Sequence, residues 1–233
     1  MVTEQLRTAI ECGTYEIQGQ FTFGSNYTFL VAVKHEGNEY PAVYKPLRGE
    51  QPLWDFPENS LAGREVAAYL VSESLGFHIV PFTTLRQDGP FGAGSLQQYI
   101  DYDPEYHYFS FSGEDRQLLQ PVVLFDVLCN NADRKGSHVF FETGTHKLYA
   151  IDHGICFHED DKLRTVLWDF SGQKIPQELL TPLTKVKSLF PLLEPYLTRR
   201  ELLALASRAE SILKKGTFPR QPRDRRALPW PPL

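Results

Sequence analysis

The sequence predicts an α+β protein in two parts, an antiparallel β-sheet with one helix over the first hundred residues and a mainly helical remainder. Short apolar runs of period two, punctuated by Gly, Asn, Asp and Pro, fill most of residues 15–100. One stretch of helical spacing interrupts them, between Ser60 and Gly76. Beyond the aromatic-rich residues 101–113, the apolar period becomes mainly helical, apart from two short buried strands expected at Val139-Phe140-Phe141 and Leu148-Tyr149-Ala150-Ile151.

In order, residues 3–11 predict a short helix stopping near Gly13, and Tyr15–Gly19 and Tyr27–Val33 predict a hairpin around Gly24-Ser25-Asn26. Its tip either is an ordinary turn or offers backbone N–H groups to a phosphate. A turn at 35–39 leads to a strand ending in Lys45, whose alternation sets Ala42 and Tyr44 on one face and Val43 and Lys45 on the other. With Val43 expected to face the core, Lys45 would need an anion or a route to solvent. Ser60 is expected to cap the helix that carries Arg64 and Glu65, with Gly76 as its stop. Phe77–Leu85 and Gly94–Ile100 predict two strands joined by the turn Gln87-Asp88-Gly89-Pro90.

Residues 101–113 are expected to link or cover the two parts, and 114–129 to form one helix in which Asp126 breaks the apolar face and holds the following loop. The run His158-Glu159-Asp160-Asp161-Lys162 predicts a solvated loop, because consecutive residues cannot all face one metal ion. Helices are expected at 176–180, 184–193 and 198–215, the last with a Thr198/Glu201 capping box and a Lys214-Lys215-Gly216 ending. The Pro- and Arg-rich residues 217–233 predict an extended surface tail.

With 233 residues the chain makes one large domain or two small lobes, and 42% hydrophobic with 23% charged residues is an ordinary globular composition. A net charge of −5 argues against a nucleic-acid partner. Cys12, Cys129 and Cys156 are widely spaced, which predicts neither a disulfide framework nor a structural zinc site and points to a reducing, cytoplasmic setting. The polar first dozen residues show no signal peptide, and no apolar run approaches the roughly 20 residues of a membrane span, so no integral membrane contact is expected.

Two aspartates carry the chemical signal. Asp133 follows the apolar 121–129 run within Asn130-Asn131-Ala132-Asp133-Arg134, and Asp152 ends the run 148–151 and precedes His153-Gly154. Packing alone has little use for either pattern. With the hairpin tip, Lys45 and Glu65 they form the set that phosphoryl transfer needs: phosphate-holding amides, a braced cation, a carboxylate at the acceptor and one for a metal.

These segments (Val43-Tyr44-Lys45-Pro46, Gly63-Arg64-Glu65-Val66-Ala67-Ala68-Tyr69-Leu70, Asn131 to His138 and Ile151-Asp152-His153-Gly154) resemble the protein-kinase-like superfamily. Within it they are most similar to the phosphatidylinositol 3-/4-kinase-related, HipA-like branch, in particular to small bacterial proteins of that description. The resemblance covers roughly residues 15–160 and implies a two-lobed protein-kinase-like fold: a nucleotide-binding lobe at 1–100, a helical catalytic lobe at 101–216 and the tail at 217–233. It implies ATP with Mg²⁺, or Mn²⁺, and transfer of phosphate to the hydroxyl of an unidentified protein or small molecule. Lys45 would contact the phosphates with Glu65 paired to it, and Gly24, Ser25 and Asn26 would cover them. The backbone of Gln98, Tyr99 and Ile100 would meet adenine. Asp133 would orient or deprotonate the acceptor, Lys135 would help neutralise the transferred phosphate, and Asp152 would bind the metal. His138 stands where the family pattern has a metal-binding asparagine. That predicts altered metal binding, a preference for Mn²⁺, weak activity, or a merely structural histidine. A nucleotide-binding pseudokinase scaffold and an AMP-transferring enzyme are the alternatives on the same fold. A coincidental set of motifs on another fold would leave residues 45, 133 and 152 apart.

Overall fold

The computed structural model describes residues 3–21 and 26–233. Helix α1 (Glu4–Cys12) opens where the Thr3 hydroxyl accepts the Leu6 N–H at 3.2 Å. It ends at Gly13, where a Cβ would come within 2.6 Å of the Ala9 carbonyl oxygen, so the turn into the sheet has room only for glycine. Strands β1 (Thr14–Phe21), β2 (Thr28–His35), β3 (Asn38–Pro46), β4 (Thr83–Gly89) and β5 (Gly92–Gln98) form one antiparallel sheet in the order β1-β2-β3-β5-β4.

Register sets Phe29 opposite Tyr44, Val31 opposite Ala42, and Tyr44 opposite Leu96, and all five are buried. This is the apolar set of an alternating face. The expected orientation of Val43 is thereby reversed: Ala42 and Tyr44 fill the core, whereas Val43 and Lys45 share the half-buried face. Lys45 therefore sits off the core face, half-buried, with its ammonium still largely shielded from water.

Helix α2 (Leu61–Ser74) packs against β4 and β5 and ends, as expected, before Gly76 at φ +73°. Its N-terminus differs from expectation. Ser60 already has helical dihedrals, and its hydroxyl donates to the Pro57 carbonyl at 2.6 Å. The Glu50 carboxylate caps instead, accepting the Leu61 and Ala62 N–H groups at 3.1 and 2.8 Å.

Residues 77–82 are not strand. The Ser72 hydroxyl oxygen takes the N–H groups of Ile79 and Val80 (3.1 and 3.2 Å), and His78 sits at φ +52°, which no strand tolerates. The hairpin turn falls at Pro90-Phe91 rather than at 87–90, since β4 runs on to Gly89 and pairs it with Gly92.

In the second half the expected single helix at 114–129 is two, α3 (Gly113–Gln117) and α4 (Gln120–Cys129). Pro121 lacks an N–H and its ring would clash with the carbonyl of residue 117, so it is held in the first turn of α4. A two-stranded sheet of β6 (Val139–Phe141) and β7 (Leu148–Ala150) lies beyond the Asp133 loop. Then come α5 (Gln177–Leu180), a 3-10 run over Thr181–Leu189, α6 (Phe190–Leu193) and α7 (Arg199–Lys215). Pro182 and Pro191 start new turns where one helix was expected over 184–193. The Thr198/Glu201 capping box is formed.

The tail carries neither helix nor strand, but Phe218 and Ala227 are buried and anchor it. His158 is not solvated as expected: it is buried against Phe56, and its Nε2 lies 2.8 Å from the Asp55 carbonyl oxygen. Among the described residues no helix is long and apolar enough to cross a membrane.

Candidate active site

Lys45 leaves the end of β3 between two carboxylates. Its ammonium hydrogen-bonds Glu65 Oε1 and lies 3.0 Å from Asp152 Oδ1. Burial disfavours the charge, yet Asp152 and Glu65 together hold the Lys45 pKa above the ordinary lysine value. Glu65, itself buried in α2, uses its second oxygen to accept the His153 N–H at 3.0 Å. One carboxylate thus braces the lysine and fixes the backbone that follows Asp152.

The loop after α4 is held by a polar hub. Asn130 ends the helix in a left-handed conformation (φ 56°). Its amide donates to the His158 and Asp160 carbonyls at 3.0 and 2.6 Å. The Asn131 side-chain carbonyl accepts the Asp133 N–H at 2.9 Å, an Asx turn that fixes the backbone at Asp133. Asp126, fully buried, accepts one hydrogen bond from Asn131 and three from Arg134, as its place in an apolar face predicted. Arg134 is also fully buried and spends every N–H: Nε and Nη2 on Asp126, Nη1 on the His138 and Ile151 carbonyls (3.2 and 2.6 Å), and Nη2 on His153 Nε2 at 2.8 Å. Both aspartate loops therefore hang from one guanidinium.

Asp133 is half-buried and meets the Lys135 ammonium at 3.6 Å. Burial, reinforced by Asp152 and opposed by Lys135, pushes its pKa up to about 6. Such a carboxyl gains and loses a proton near neutrality, the property of a general base.

Asp152 follows β7 at φ +62°, a left-handed conformation uncommon for a residue other than glycine, and this turns its carboxylate between Lys45 and His138. Burial opposes its charge, but Lys45 and His138 beside it hold the pKa well below the carboxylate range. His138 Nε2 is 3.3 Å from Asp152 Oδ2, and its buried Nδ1 has no partner. Burial pushes its pKa down to about 4, so the imidazole is neutral at physiological pH.

Asp152 offers carboxylate oxygens of the kind a hard divalent cation takes, here engaged by Lys45 and His138. Mg²⁺ takes oxygen ligands and is commonly held by one or two carboxylates plus substrate phosphates. Among the described residues no group of three or more His, Cys, Asp or Glu side chains forms a self-sufficient cage.

Gly24 and Ser25 are outside the described residues. Asn26 uses its side-chain oxygen to accept the Gln51 N–H at 2.8 Å, tying the hairpin to the connection after β3. At the end of β5, the Gln98 N–H goes to the Phe82 carbonyl (2.8 Å) and the Tyr99 N–H to the Pro41 carbonyl (3.3 Å). Ile100 is buried with Phe140 and Tyr149, and Tyr102 stacks on Phe140 at 3.9 Å. The aromatic stretch at 101–113 is thus mostly packing.

Sequence reasoning did not find the hub roles of Arg134, His153 and Asn131. The Asn-x-Asp spacing of an Asx turn was the one local signal; the partners of Arg134 are contributed by separate elements.

No protein-family model matches the chain. It is 36% identical to Protein Rv2133c of Mycobacterium tuberculosis (strain ATCC 25618 / H37Rv) over 259 aligned residues, covering 94% of this chain and 92% of that one. The crystal structure of the Helicobacter pylori proinflammatory kinase CtkA superposes with a TM-score of 0.51 at 13% identity, covering 89% of this chain and 94% of that one. The fold is accordingly kinase-like: an antiparallel five-stranded sheet in the N-terminal half and helices mostly in the C-terminal half.

Proposed function

This chain belongs to the family of Protein Rv2133c, and we propose that it works as an ATP- and divalent-metal-dependent kinase of the phosphatidylinositol-kinase-related, HipA-like branch. Residues 1–100 serve as the nucleotide-binding lobe, 101–216 as the catalytic lobe and 217–233 as a tail laid against it. The observation that carries the reading is the convergence of Lys45, Glu65 and Asp152, brought from β3, α2 and the end of β7, beside an Asp133 poised to titrate near neutrality. Coincidental motifs would not have met.

In this reading Lys45, kept charged by its carboxylates, orients the nucleotide phosphates. The Ile100 backbone at the end of β5 meets the base, where the neighbouring Gln98 and Tyr99 N–H groups are already spent within the protein. Asp133 accepts the proton of the acceptor hydroxyl as the hydroxyl oxygen bonds the terminal phosphorus and the bond from that phosphorus to the bridging oxygen breaks, releasing ADP, and Lys135 stands beside the charge that develops there. Asp152 would hold a divalent cation, which would neutralise charge on the phosphate oxygens. The acceptor is a protein or small-molecule hydroxyl.

A second reading, a nucleotide-binding scaffold without turnover, is favoured by His138, whose imidazole fills the place of the pattern's asparagine with a buried nitrogen left unpaired. Incubation with radiolabelled ATP and Mg²⁺ or Mn²⁺ separates the two. Labelling that is lost in Asp133→Ala supports the kinase. Metal-dependent thermal stabilisation by ATP without labelling supports the scaffold, and a mass gain of AMP instead of phosphate identifies an adenylyl transferase.

A further inference from the structure

Arg64 and Glu65 are neighbours on α2 but point about 100° apart around the helix. Glu65 reaches Lys45 and the His153 N–H; Arg64 reaches the other way, into the helical half. Its guanidinium is 1% accessible. Nη1 donates to the Cys156 carbonyl at 2.6 Å, Nε to the Ser60 hydroxyl at 3.3 Å, and Nη2 to Glu201 Oε1, while its face covers the Phe56 ring at 4.7 Å. Glu201 is equally constrained: its other oxygen accepts the Thr198 N–H and hydroxyl at 2.8 and 2.9 Å in the capping box of α7. The cap of one helix thus fixes the rotamer of the carboxylate that holds another.

A buried ion pair of this kind is a poor source of stability, because desolvating two charges offsets most of their attraction and apolar residues of similar volume often do as well. What it does supply is a single allowed position, since displacement strands a charge. Arg64 and Glu65 together grip the segment from Asp152 to Cys156 at two points, the His153 N–H and the Cys156 carbonyl. That segment is in turn bonded to the Asp133 loop through Ala132 N–H to the Ile155 carbonyl at 3.0 Å.

We propose that Arg64 and Glu201 are a positioning pair that locks α2 onto the helical half and so sets Glu65, and through it Lys45 and Asp152, in their working geometry. The inference rests on the kinase reading for what that geometry is used for, not for its existence. It implies that α2 has no second resting position in this protein, so that the lysine brace is permanently assembled.

The test uses Glu201→Gln in the full chain, which keeps the capping box (Gln serves there as well as Glu) but leaves Arg64 unpaired. Leu205→Ala, at a fully buried apolar core position of α7 that makes none of these hydrogen bonds or ion pairs, is the control, with denaturant adjusted until both variants have equal global stability. Hydrogen exchange of the amides at 152–156 is expected to be about tenfold or more faster in Glu201→Gln than in the control, and ATP affinity about tenfold weaker, the order a small displacement of a catalytic group produces. Equal exchange in the two variants overturns the proposal. If the wild type binds no ATP, the kinase reading falls while the exchange comparison still decides the positioning role. Should Glu201→Gln not fold, Arg64→Lys, which keeps the charge but cannot span both Cys156 and Glu201, undergoes the same comparison: faster exchange than the control supports the positioning role, and equal exchange overturns it.

Discussion

Arg134 Nη2 and His153 Nε2 meet at 2.8 Å with both side chains fully buried. A guanidinium has no acceptor, so His153 must accept, which places its proton on Nδ1 and makes the ring neutral. Burial first, then the Arg134 charge, pushes its pKa well below that of a free histidine, in agreement with this tautomer.

His153→Phe therefore removes the acceptor and leaves a buried guanidinium N–H unsatisfied. The expected loss is about 1–3 kcal/mol of folding stability by urea titration, although phenylalanine would pack well against Phe125. A variant as stable as the wild type would show that this donor does not depend on the ring.

Asp133 gives a prediction whose sign runs the other way from a stabilising ion pair. Its folded pKa of about 6 lies above the ordinary aspartate value, so the native state takes up a proton more readily than the unfolded chain. The ionised carboxyl thus costs stability above pH 6, and that cost disappears as pH falls through 6 towards 4. Asp133→Asn should raise stability at pH 7–8 by about 1 kcal/mol, allowing for the partial exposure of the side chain, while abolishing phosphoryl transfer. Thermal unfolding across pH checks it: the gain over wild type must shrink on acidification. The wild-type activity, needing the ionised base, should rise with pH through about 6 and then level.

The residues that carry the proposed chemistry were legible because each stands where an apolar run stops, and a charge there is expensive without a purpose. Lys45 at the end of β3, Asp133 after α4 and Asp152 after β7 are such positions. The capping box of α7 was legible because all its parts lie within four residues. What stayed hidden depends on contacts distant in sequence or on one side chain overriding a pattern. Residues 77–82 have the composition of a strand, but the Ser72 hydroxyl claims two of their N–H groups. The Arg64–Glu201 pair spans 137 positions, and neither residue differs locally from a solvated helix charge. Pro121 was visible, and the regular apolar spacing around it outweighed it wrongly.

Glu50 is the case that most directly separates the two kinds of signal, since it lies eleven residues before the N–H group it caps first. Glu50→Ala should leave the Leu61 and Ala62 donors without that acceptor and cost about 0.5–2 kcal/mol in thermal or urea unfolding. Ser60→Ala should leave the Leu61 and Ala62 amides as protected from hydrogen exchange as in the wild type, because its hydroxyl caps neither and bonds Pro57 and Arg64 instead. Faster exchange of those two amides in Ser60→Ala than in Glu50→Ala would return the cap to Ser60.

His138 decides how the metal end of the site behaves. Its neutral imidazole faces Asp152 at 3.3 Å, and imidazole suits softer ions than Mg²⁺. His138→Asn exchanges the ring, with its unpaired Nδ1, for an oxygen ligand of the hard type that Mg²⁺ prefers. The variant is expected to gain several-fold in Mg²⁺-supported labelling relative to Mn²⁺-supported labelling, with the gain in kcat rather than in the affinity for ATP alone. Measuring kcat/KM with each metal for wild type and variant tests this. An unchanged Mg²⁺-to-Mn²⁺ ratio would mean that residue 138 does not reach the ion, and that its place beside Asp152 is structural.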